Sequence, residues 1–274
     1  MTPARRRALA TGALLVPVLA WTLFPIYWLA AASLKTELGL YARPPQWLFT
    51  PILDNYRRVL SSIPFLRYLA NSLVVAIGTT LGGLVLGGLA GYAFARVSFR
   101  GAGAVRFLVL VTRMAPRMVL VVPYYLLMQR LGLLDTYTGL LLAYVSFALP
   151  FTIWLLIGFF ADVPLEVEEA ARLDGCGPLG VLLRVVVPVA APGLVVAAIF
   201  AFLVSWNEFL FALILTGVET KTLPVVIAGF STDVGPLYGE MSAAAVMVML
   251  PNVVMTLGLE RYLVRGLALG AVAR

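Results

Sequence analysis

The stretch YTGLLLAYVSFALPFTIWLLIGFF, residues 137–160, contains no charged side chain. The hydrocarbon core of a bilayer is about 30 Å thick, so about 20 apolar residues are needed to cross it as a helix. In lipid the backbone N–H and C=O groups must be satisfied within the segment itself, which favours a helix over an open strand. Residues 137–160 therefore predict a transmembrane helix, and with it the class of the fold.

The rest of the chain has the same apolar character. Of its 274 residues, 62% are hydrophobic and 12% are charged, whereas a soluble domain carries about 25% charged residues. This composition leaves too little polar surface for a soluble fold. The sequence therefore predicts an all-α integral membrane protein with one transmembrane domain over residues 1–274. Six stretches are long and apolar enough to be spans: 9–33, 68–95, 105–128, 137–160, 185–215 and 242–263.

The distribution of basic residues predicts the orientation of the spans. Six spans place both termini on one side, and arginines are more frequent in the segments on that side, which favours cytoplasmic N- and C-termini. The basic cluster Arg5–Arg7 before the first apolar run also resembles a signal peptide. The run is longer than a signal peptide requires, and no clear cleavage site precedes Lys35. We therefore expect a retained first span.

Several classes of function are excluded by what the sequence lacks. It has no histidine and a single cysteine, Cys176, which excludes His-based triads, HExxH zinc sites and an internal disulfide. Neither Lys35 nor Lys221 follows a glycine, so a phosphate-binding GxxxxGK[ST] loop is absent and ATP is not bound in that way. Basic residues at the ends of spans explain the net charge of +7. We expect no nucleic-acid partner, no metal and no cofactor bound by this chain.

Two arginines lie within the third apolar stretch, in VTRMAPRMVLVVPYY. Arg113 and Arg117 are four residues apart, which places them on one helix face, and Pro116 between them predicts a bent or broken helix. An arginine at the centre of a bilayer costs about 2.5–3.5 kcal/mol. One interpretation is a water-lined translocation path, to which Asn207 and Glu208 of the fifth stretch also contribute. The other is a structural ion pair with Glu208, or an arginine that reaches the membrane boundary.

The segment VPLEVEEAARLDGCG, residues 163–177, concentrates charge between the fourth and fifth stretches. Pro164 in a first turn and the acidic residues after it predict a helix start, because the helix dipole favours anions there. Gly175 and the pair Gly177–Pro178 predict its end, which gives a helix of about three turns. A catalytic carboxyl pair needs a desolvated pocket, and a calcium-type metal site needs a particular ligand loop. A short loop helix provides neither.

The same helix carries a patch of small residues. Ala170 and Ala171, with Gly175 one turn further on, form a narrow ridge edged by Glu169 and Asp174. A ridge that is almost free of side chains can insert into a groove of another protein. A solvated loop helix without a partner is the alternative. The pattern therefore favours docking over catalysis.

The motif Glu169-Ala170-Ala171, followed by Gly175 and by an apolar run ending at Pro188, has the spacing of the EAA loop of binding-protein-dependent ABC importer permeases. The segments LDNYRRVL, RYLANSL, VTRMAPRMVLVVPYYLL, SWNEFLFAL and RYLVRGLALGAVAR also resemble the second permease subunit of carbohydrate importers, the MalG-like type. The resemblance covers nearly the whole chain. It implies the six-helix fold of type I ABC importers.

The resemblance also implies partners in a bacterial or archaeal cell membrane. They are a second permease subunit in a heterodimer, two ATPase subunits that hold ATP and Mg, and an external solute-binding protein. The loop at residues 162–184 would be cytoplasmic, and its helix would dock on an ATPase subunit as a coupling helix. ATP-driven closure would then switch the bundle between inward-open and outward-open states and import a sugar or sugar-like solute. The implied contact residues are Glu169, Ala170, Ala171, Asp174, Gly175 and Pro188.

Two other functions remain open. One is a secondary transporter driven by an ion gradient, and the other is an intramembrane enzyme or lipid-processing protein. An enzyme needs a polar catalytic group at membrane depth. Ser205, Glu208 and Asp233 are the candidates for that group, although no pairing motif joins them.

Overall fold

A computed structural model describes the backbone of residues 3–232 and 235–272, and the side chains of residues 12–230 and 237–258. Within this part of the chain nearly all regular structure is helical. The exception is a short antiparallel pairing of Ser231–Thr232 (β1) with Gly235–Pro236 (β2). Some residues considered above lie outside the described side chains, namely Arg5–Arg7, Asp233 and the segment 261–274.

The helices of the described chain are named here in order, with a π-helical turn at Leu182–Val186 between the ninth and the tenth. They are α1 (Pro3–Ser33), α2 (Glu37–Tyr41), α3 (Asp54–Ser62), α4 (Phe65–Arg96), α5 (Ala102–Met114), α6 (Arg117–Arg130), α7 (Tyr137–Ala161), α8 (Leu165–Leu173), α9 (Pro178–Val181), α10 (Val187–Val189), α11 (Ala191–Trp206), α12 (Leu210–Leu215), α13 (Leu223–Ala228) and α14 (Tyr238–Val272).

Several of these helices can cross a membrane, which confirms the predicted multi-pass helical class. In the described chain, four are long and apolar enough by themselves, and α9–α10 with α11 make a fifth if the two parts form one bent span. The count of six stays a prediction, because the stretch 105–128 is divided between α5 and α6. The four are Gly12–Ser33, Phe65–Arg96, Tyr137–Ala161 and Tyr238–Gly258.

Proline residues mark both interruptions. Between α5 and α6, Ala115–Pro116 is extended, because proline disfavours the helical conformation of the residue before it and lacks an N–H donor. In the fifth stretch Pro188 and Pro192 flank Ala190, where the two parts of the span are bent by 84°. The break predicted at Pro116 is confirmed.

The chain forms two compact units. The first comprises Met1–Leu66 and Val226–Leu250, and the second comprises Arg67–Val225 and Pro251–Arg274. Each unit combines an earlier and a later part of the chain, so neither is one contiguous stretch of sequence.

In the first unit, the segment after α1 is held by buried polar contacts. The Nδ2 of Asn55, a fully buried residue of α3, donates to the carbonyl oxygens of Ser33 and Lys35, both at 2.9 Å. These carbonyls lie at the end of α1, where no helical N–H is available to them. Arg58 of α3 pairs with Glu240 of α14 at 3.1 Å. The connection between the first two spans is therefore ordered against the end of α1.

In the second unit, α4 and α7 pack closely because glycines of α4 face α7. A Cβ added at Gly78 would lie 2.6 Å from a methyl carbon of Leu141, and one added at Gly87 would lie 2.7 Å from the Thr152 methyl carbon. A larger residue at either position would require the neighbouring side chain of α7 to shift. Glycine at these two positions thus allows the close approach of the two helices.

Helix α7 is the centre of the second unit. One buried apolar cluster includes Leu140 and Tyr144 near its start, and another includes Leu156 and Phe160 near its end. Between the ends of α7, residues 146–148 and 150–151 line a cavity. The candidate sites lie at this cavity and at the end of α7.

Candidate functional site

The helix predicted after the fourth stretch is α8, Leu165–Leu173. Pro164 caps this helix instead of lying in its first turn, since its ψ of 134° is not helical. Glu166 and Glu168 lie in the first turn, where the positive end of the helix dipole stabilises carboxylates. The start of the helix is therefore correctly predicted to within one residue.

Helix α8 ends in a Schellman motif built on Gly175. This glycine has φ +87°, a left-handed conformation that costs other residues about 1–2 kcal/mol. The Gly175 N–H donates to the Arg172 carbonyl and the Cys176 N–H donates to the Ala171 carbonyl, both at 3.0 Å. These bonds satisfy carbonyls that the helix end leaves free. The turn predicted at Gly175 is present.

The inner side of α8 is anchored by Glu168, which is fully buried. Its Oε1 accepts from Nε of Arg96, at the end of α4, at 2.6 Å, and its Oε2 accepts from the Tyr92 hydroxyl at 2.8 Å. Arg172 of α8 contacts Oε2 at 3.3 Å. Arg96 also donates from Nη2 to the Val163 carbonyl at 2.5 Å. We call the contacts among these residues the Glu168 node.

The Glu168 node fixes α8 against α4. The side chains of Arg96 and Glu168 are only 9% and 0% exposed. Removal of one of them leaves the other as an unpaired buried charge, which lowers the free energy of unfolding by about 3–5 kcal/mol. Sequence reasoning missed this role, because it assigned all the carboxylates to the helix start or to a partner interface. The available signal was the spacing of Glu168 and Ala171, which are three residues apart and share a face.

The outer side of α8 carries part of the predicted docking ridge. Ala171 is only 8% exposed and packs in the apolar cluster with Leu156 and Phe160, so its prediction as part of an outward ridge is wrong. Neighbouring helical residues point about 100° apart, which lets Ala170 face outward while Ala171 faces inward. The predicted contact residues that are exposed are Glu169, Ala170, Asp174, Gly175 and Pro188.

A second candidate site lies where α5 and α6 meet the middle of α7. Arg113 and Arg117, on either side of the break between α5 and α6, line a cavity of about 320 Å³ that we call the arginine cavity. The guanidinium carbon of Arg113 lies 4.5 Å from the ring centroid of Phe151, and that of Arg117 lies 5.6 Å from the ring centroid of Phe147. These distances are typical of cation–π contacts. Thr112, Ser146 and Phe200 also line the cavity.

The arginine cavity lies at the depth of the central third of α7. Phe147 is about 15 Å from the start of that helix at 1.5 Å per residue. Both arginine residues are exposed, and neither forms an ion pair with any residue that the structure describes. A charge at such depth is stable only against a partner or in a water-filled space. A role of these arginines in the translocation path stays a prediction.

Of the two alternative interpretations, a structural ion pair with Glu208 is wrong for the described residues. An arginine that reaches the membrane boundary stays a prediction. Glu208 is buried, and its carboxylate accepts hydrogen bonds from the N–H groups of Phe211 and Ala212 at 3.1–3.2 Å. These amides lie at the start of α12, where an anion is stabilised by the helix dipole. Asn207 is exposed and donates to the Leu203 carbonyl at 2.8 Å. Neither Asn207 nor Glu208 lines the arginine cavity.

Of the residues considered for an intramembrane enzyme, the two that the structure describes, Ser205 and Glu208, do not form a catalytic pair. The buried Ser205 donates from its hydroxyl to Thr79 at 3.3 Å, and the Glu208 carboxylate is engaged by backbone amides. An activated nucleophile needs a base within hydrogen-bond reach. Asp233 lies outside the described residues. In the part of the chain that the structure describes, no group of three His, Cys, Asp or Glu residues is placed to hold a metal ion.

A third charged group, Asp135, joins two loops at the end of α7 away from α8. Its carboxylate accepts from the N–H groups of Val218, Glu219 and Thr220 at 2.9–3.1 Å and from the Thr220 hydroxyl at 2.7 Å. Burial raises the pKa of this carboxyl, but the hydrogen bonds outweigh burial and hold the pKa of Asp135 below its usual value. The loop before α7 is tied in this way to the loop after α12.

The apolar helices, the anchored surface helix and the cavity at mid-depth define a multi-pass membrane protein of the transporter class. Residues 83–268 match the family of binding-protein-dependent transport system inner membrane components. The chain belongs to this family of ABC importer permeases. The resemblance based on the EAA motif is thereby confirmed.

Individual relatives agree with this assignment over nearly their full length. The trehalose transport system permease protein SugB of Mycobacterium tuberculosis is 38% identical over 97% of this chain and 98% of its own. The trehalose/maltose transport system permease protein MalG of Thermococcus litoralis is 34% identical over 98% and 97%. A crystal structure of a bacterial ABC transporter involved in the import of the acidic polysaccharide alginate contains a chain with a TM-score of 0.77 at 23% identity. That likeness covers 96% of this chain and 98% of the other and concerns the fold.

Proposed function

We propose that this permease passes a sugar from an external binding protein across the cell membrane, driven by ATP hydrolysis in a separate ATPase subunit. The observation that carries the proposal is the geometry of α8. Its inner side is locked to α4 by Glu168, while Glu169 and Ala170 face outward. A helix that is fixed on one side and exposed on the other is suited to transmit the movement of a docked partner. The sugar class is supported by the two relatives above, whose names state trehalose and maltose.

The partners in this proposal are a second permease subunit in a heterodimer, two ATPase subunits and a solute-binding protein. ATP and Mg are held by the ATPase subunits. The chain contributes six spans with cytoplasmic termini, the third formed by α5 with α6 and the fifth by the bent segment that includes α11. The loop at residues 162–184 is then cytoplasmic and places α8 against an ATPase subunit.

Movement of α8 reaches the spans through rigid contacts. The Glu168 node connects α8 to α4, and the glycines of α4 bring that helix into direct contact with α7. Closely packed helices move as units because their interiors compress little. Closure of the ATPase pair can therefore shift α4 and α7 together and switch the access of the permease from one side to the other.

The test replaces Gly175 at the end of α8 in the assembled importer. Gly175→Val forces a β-branched residue into φ +87°, which alters the turn after the docking surface. We expect normal membrane insertion, loss of the co-purified ATPase subunit and loss of ATP-dependent saccharide uptake in proteoliposomes. Uptake and ATPase retention at the original level, with normal amounts of every subunit, would falsify the proposal.

Two controls separate backbone strain from side-chain size. Asparagine adopts the left-handed conformation more readily than valine, so the Gly175→Asn importer should retain most of its ATPase subunit. Gly177→Val adds the same bulk two residues later, at an ordinary φ of −70° with no neighbouring atom within 4 Å of a new Cβ. It should retain the ATPase.

A further inference from the structure

Among the residues that the structure describes, the arginine cavity has positive charge without a matching acid. Arg113 and Arg117 are its charged lining residues, and no carboxylate lies among the other lining residues. Glu208, the acidic residue of the neighbouring stretch, is held by the amides of α12. The guanidinium group of arginine stays charged in proteins. The cavity therefore holds two permanent positive charges at the mid-depth of α7.

The surroundings of these charges resemble a ligand site more than a structural contact. Ligand pockets combine apolar or aromatic walls with a few polar groups, and here the rings of Phe147, Phe151 and Phe200 form the walls. The guanidinium groups lie against two of the rings, a contact that holds each group in place but does not neutralise its charge. A preorganised guanidinium fork matches a carboxylate or a phosphate with two parallel hydrogen bonds.

We propose that the arginine cavity binds the anionic group of an acidic saccharide, one that carries a carboxylate, sulfonate or phosphate. This inference rests on the proposed import function and narrows the substrate class. The volume of about 320 Å³ is at the low end of the range of about 300–1,000 Å³ for ligand pockets, so the cavity holds one acidic sugar unit at a time. Arg113 and Arg117 bind the anion, and the phenylalanine rings contact the apolar faces of the sugar.

The rate at which a thiol in the cavity reacts with charged reagents measures the charge of the cavity and the access of water to it. The reporter is Ser146→Cys, a conservative change at an exposed lining residue, in a chain with Cys176→Ser so that it is the sole thiol. The assembled importer in nanodiscs is treated with a negatively charged and with a positively charged methanethiosulfonate of similar size. We expect the negative reagent to react faster. Replacement of Arg113 and Arg117 by Gln should lower the ratio of the two rates by at least about tenfold, since focused charge raises local ion concentration by about 10–1,000-fold.

The ligand class is then tested by protection of the same thiol. Glucuronate should slow the labelling and glucose at the same concentration should not. Three results would overturn the inference: no reaction with either reagent in an active complex, an unchanged rate ratio after removal of the arginines, or equal protection by the two sugars. Protection that depends on phosphatidylglycerol in the nanodisc, with none from glucuronate, would also overturn it by assigning the cavity to a lipid phosphate.

A second cysteine variant controls for effects that are specific to Ser146→Cys. Thr112→Cys lies on α5 and lines the same cavity, so it should give the same charge preference. The import function itself is checked separately on the same samples, by the retained ATPase subunit and its ATP hydrolysis. A complex that keeps both but lacks charge selectivity refutes the acidic ligand alone, whereas loss of the ATPase from the unmodified complex refutes the proposed function.

Discussion

The Glu168 node and the arginine cavity each contain arginine on helices of the second unit. In the node the arginine is paired with a carboxylate, and in the cavity it is not. Arg96 has a carboxylate 2.6 Å away and is 9% exposed, whereas Arg113 lies over a phenylalanine ring and is exposed. A buried pair whose partners satisfy each other has no capacity left for a ligand. An arginine without an acid retains its N–H donors for one. Pairing, rather than the presence of charge at depth, thus separates an anchor from a binding site.

The largest effect expected from this comparison is at Glu168. Glu168→Ala leaves Arg96 without its partner in a nearly closed environment, so we expect the free energy of unfolding to fall by about 3–5 kcal/mol. The matched control is Glu169→Ala, one residue further on and exposed, where the loss should stay within about 0.5 kcal/mol. Thermal unfolding of the detergent-purified importer measures both changes.

The reverse order of these two variants would remove the distinction between an inner and an outer side of α8. A further comparison uses the double replacement Arg96→Met with Glu168→Leu. Apolar residues in place of both partners should recover most of the stability, because no buried charge is left unpaired and Arg172, which loses its contact with Glu168, is half-exposed. A double variant as unstable as Glu168→Ala would show that the loss comes from packing rather than from the unpaired charge.

A smaller effect is expected at Asp135, a carboxylate held by amides without a cation. Hydrogen bonds to a charged group are worth about 1.5–3 kcal/mol, and partial exposure reduces this, so Asp135→Ala should cost about 2 kcal/mol at pH 7. Its folded pKa lies below the unfolded value of about 3.9. The contribution is therefore complete above the unfolded pKa and is lost as the pH falls through the folded pKa. Unfolding curves recorded from pH 7 to pH 3 measure the first part of this loss, which begins near the unfolded pKa.

Asp135→Asn provides the control for the pH dependence. Asparagine retains one acceptor oxygen but does not titrate, so the variant should be less stable than the wild type at pH 7, and the difference should shrink toward pH 3. A difference that stays constant over this range would mean that charge contributes nothing to the contact between the two loops.

The smallest effect on stability is expected at Arg113. A cation–π contact of an exposed arginine is worth about 0.5–1 kcal/mol, so Arg113→Gln should change the free energy of unfolding by no more than that while it lowers saccharide uptake. Arg96→Gln serves as the matched control and should be strongly destabilising. If the two variants unfold alike, Arg113 is an anchor of the same kind as Arg96, and the contrast between the two sites fails.

Local sequence patterns predicted the main elements well. The uncharged run at residues 137–160 is α7, Pro116 breaks the third stretch, and the acidic residues followed by Gly175 give α8 and its left-handed turn. Each of these depends on interactions within a few residues: backbone satisfaction in lipid, the geometry of proline and the conformational freedom of glycine. Such interactions can be read from one segment without knowledge of its neighbours.

The roles of individual charges could not be read in that way. Glu168 and Glu169 are adjacent acidic residues in the same helix, and only the position of Arg96 on another helix makes one of them an anchor. Ala171 was assigned to the outer ridge because its spacing alone does not show which side of α8 packs. One interpretation of the sequence pairs Glu208 with distant arginines, although amides a few residues away bind it.

The amino-acid sequence by itself determined that this chain is a helical membrane protein of the permease family, since apolar length and the EAA spacing are local properties. Only the tertiary structure decided which charges are satisfied and which are free. That outcome depends on distances of a few ångströms between helices far apart in sequence. Coulomb and hydrogen-bond energies decrease over such distances. A small difference in helix packing therefore decides whether an arginine is paired with a carboxylate or is left without one.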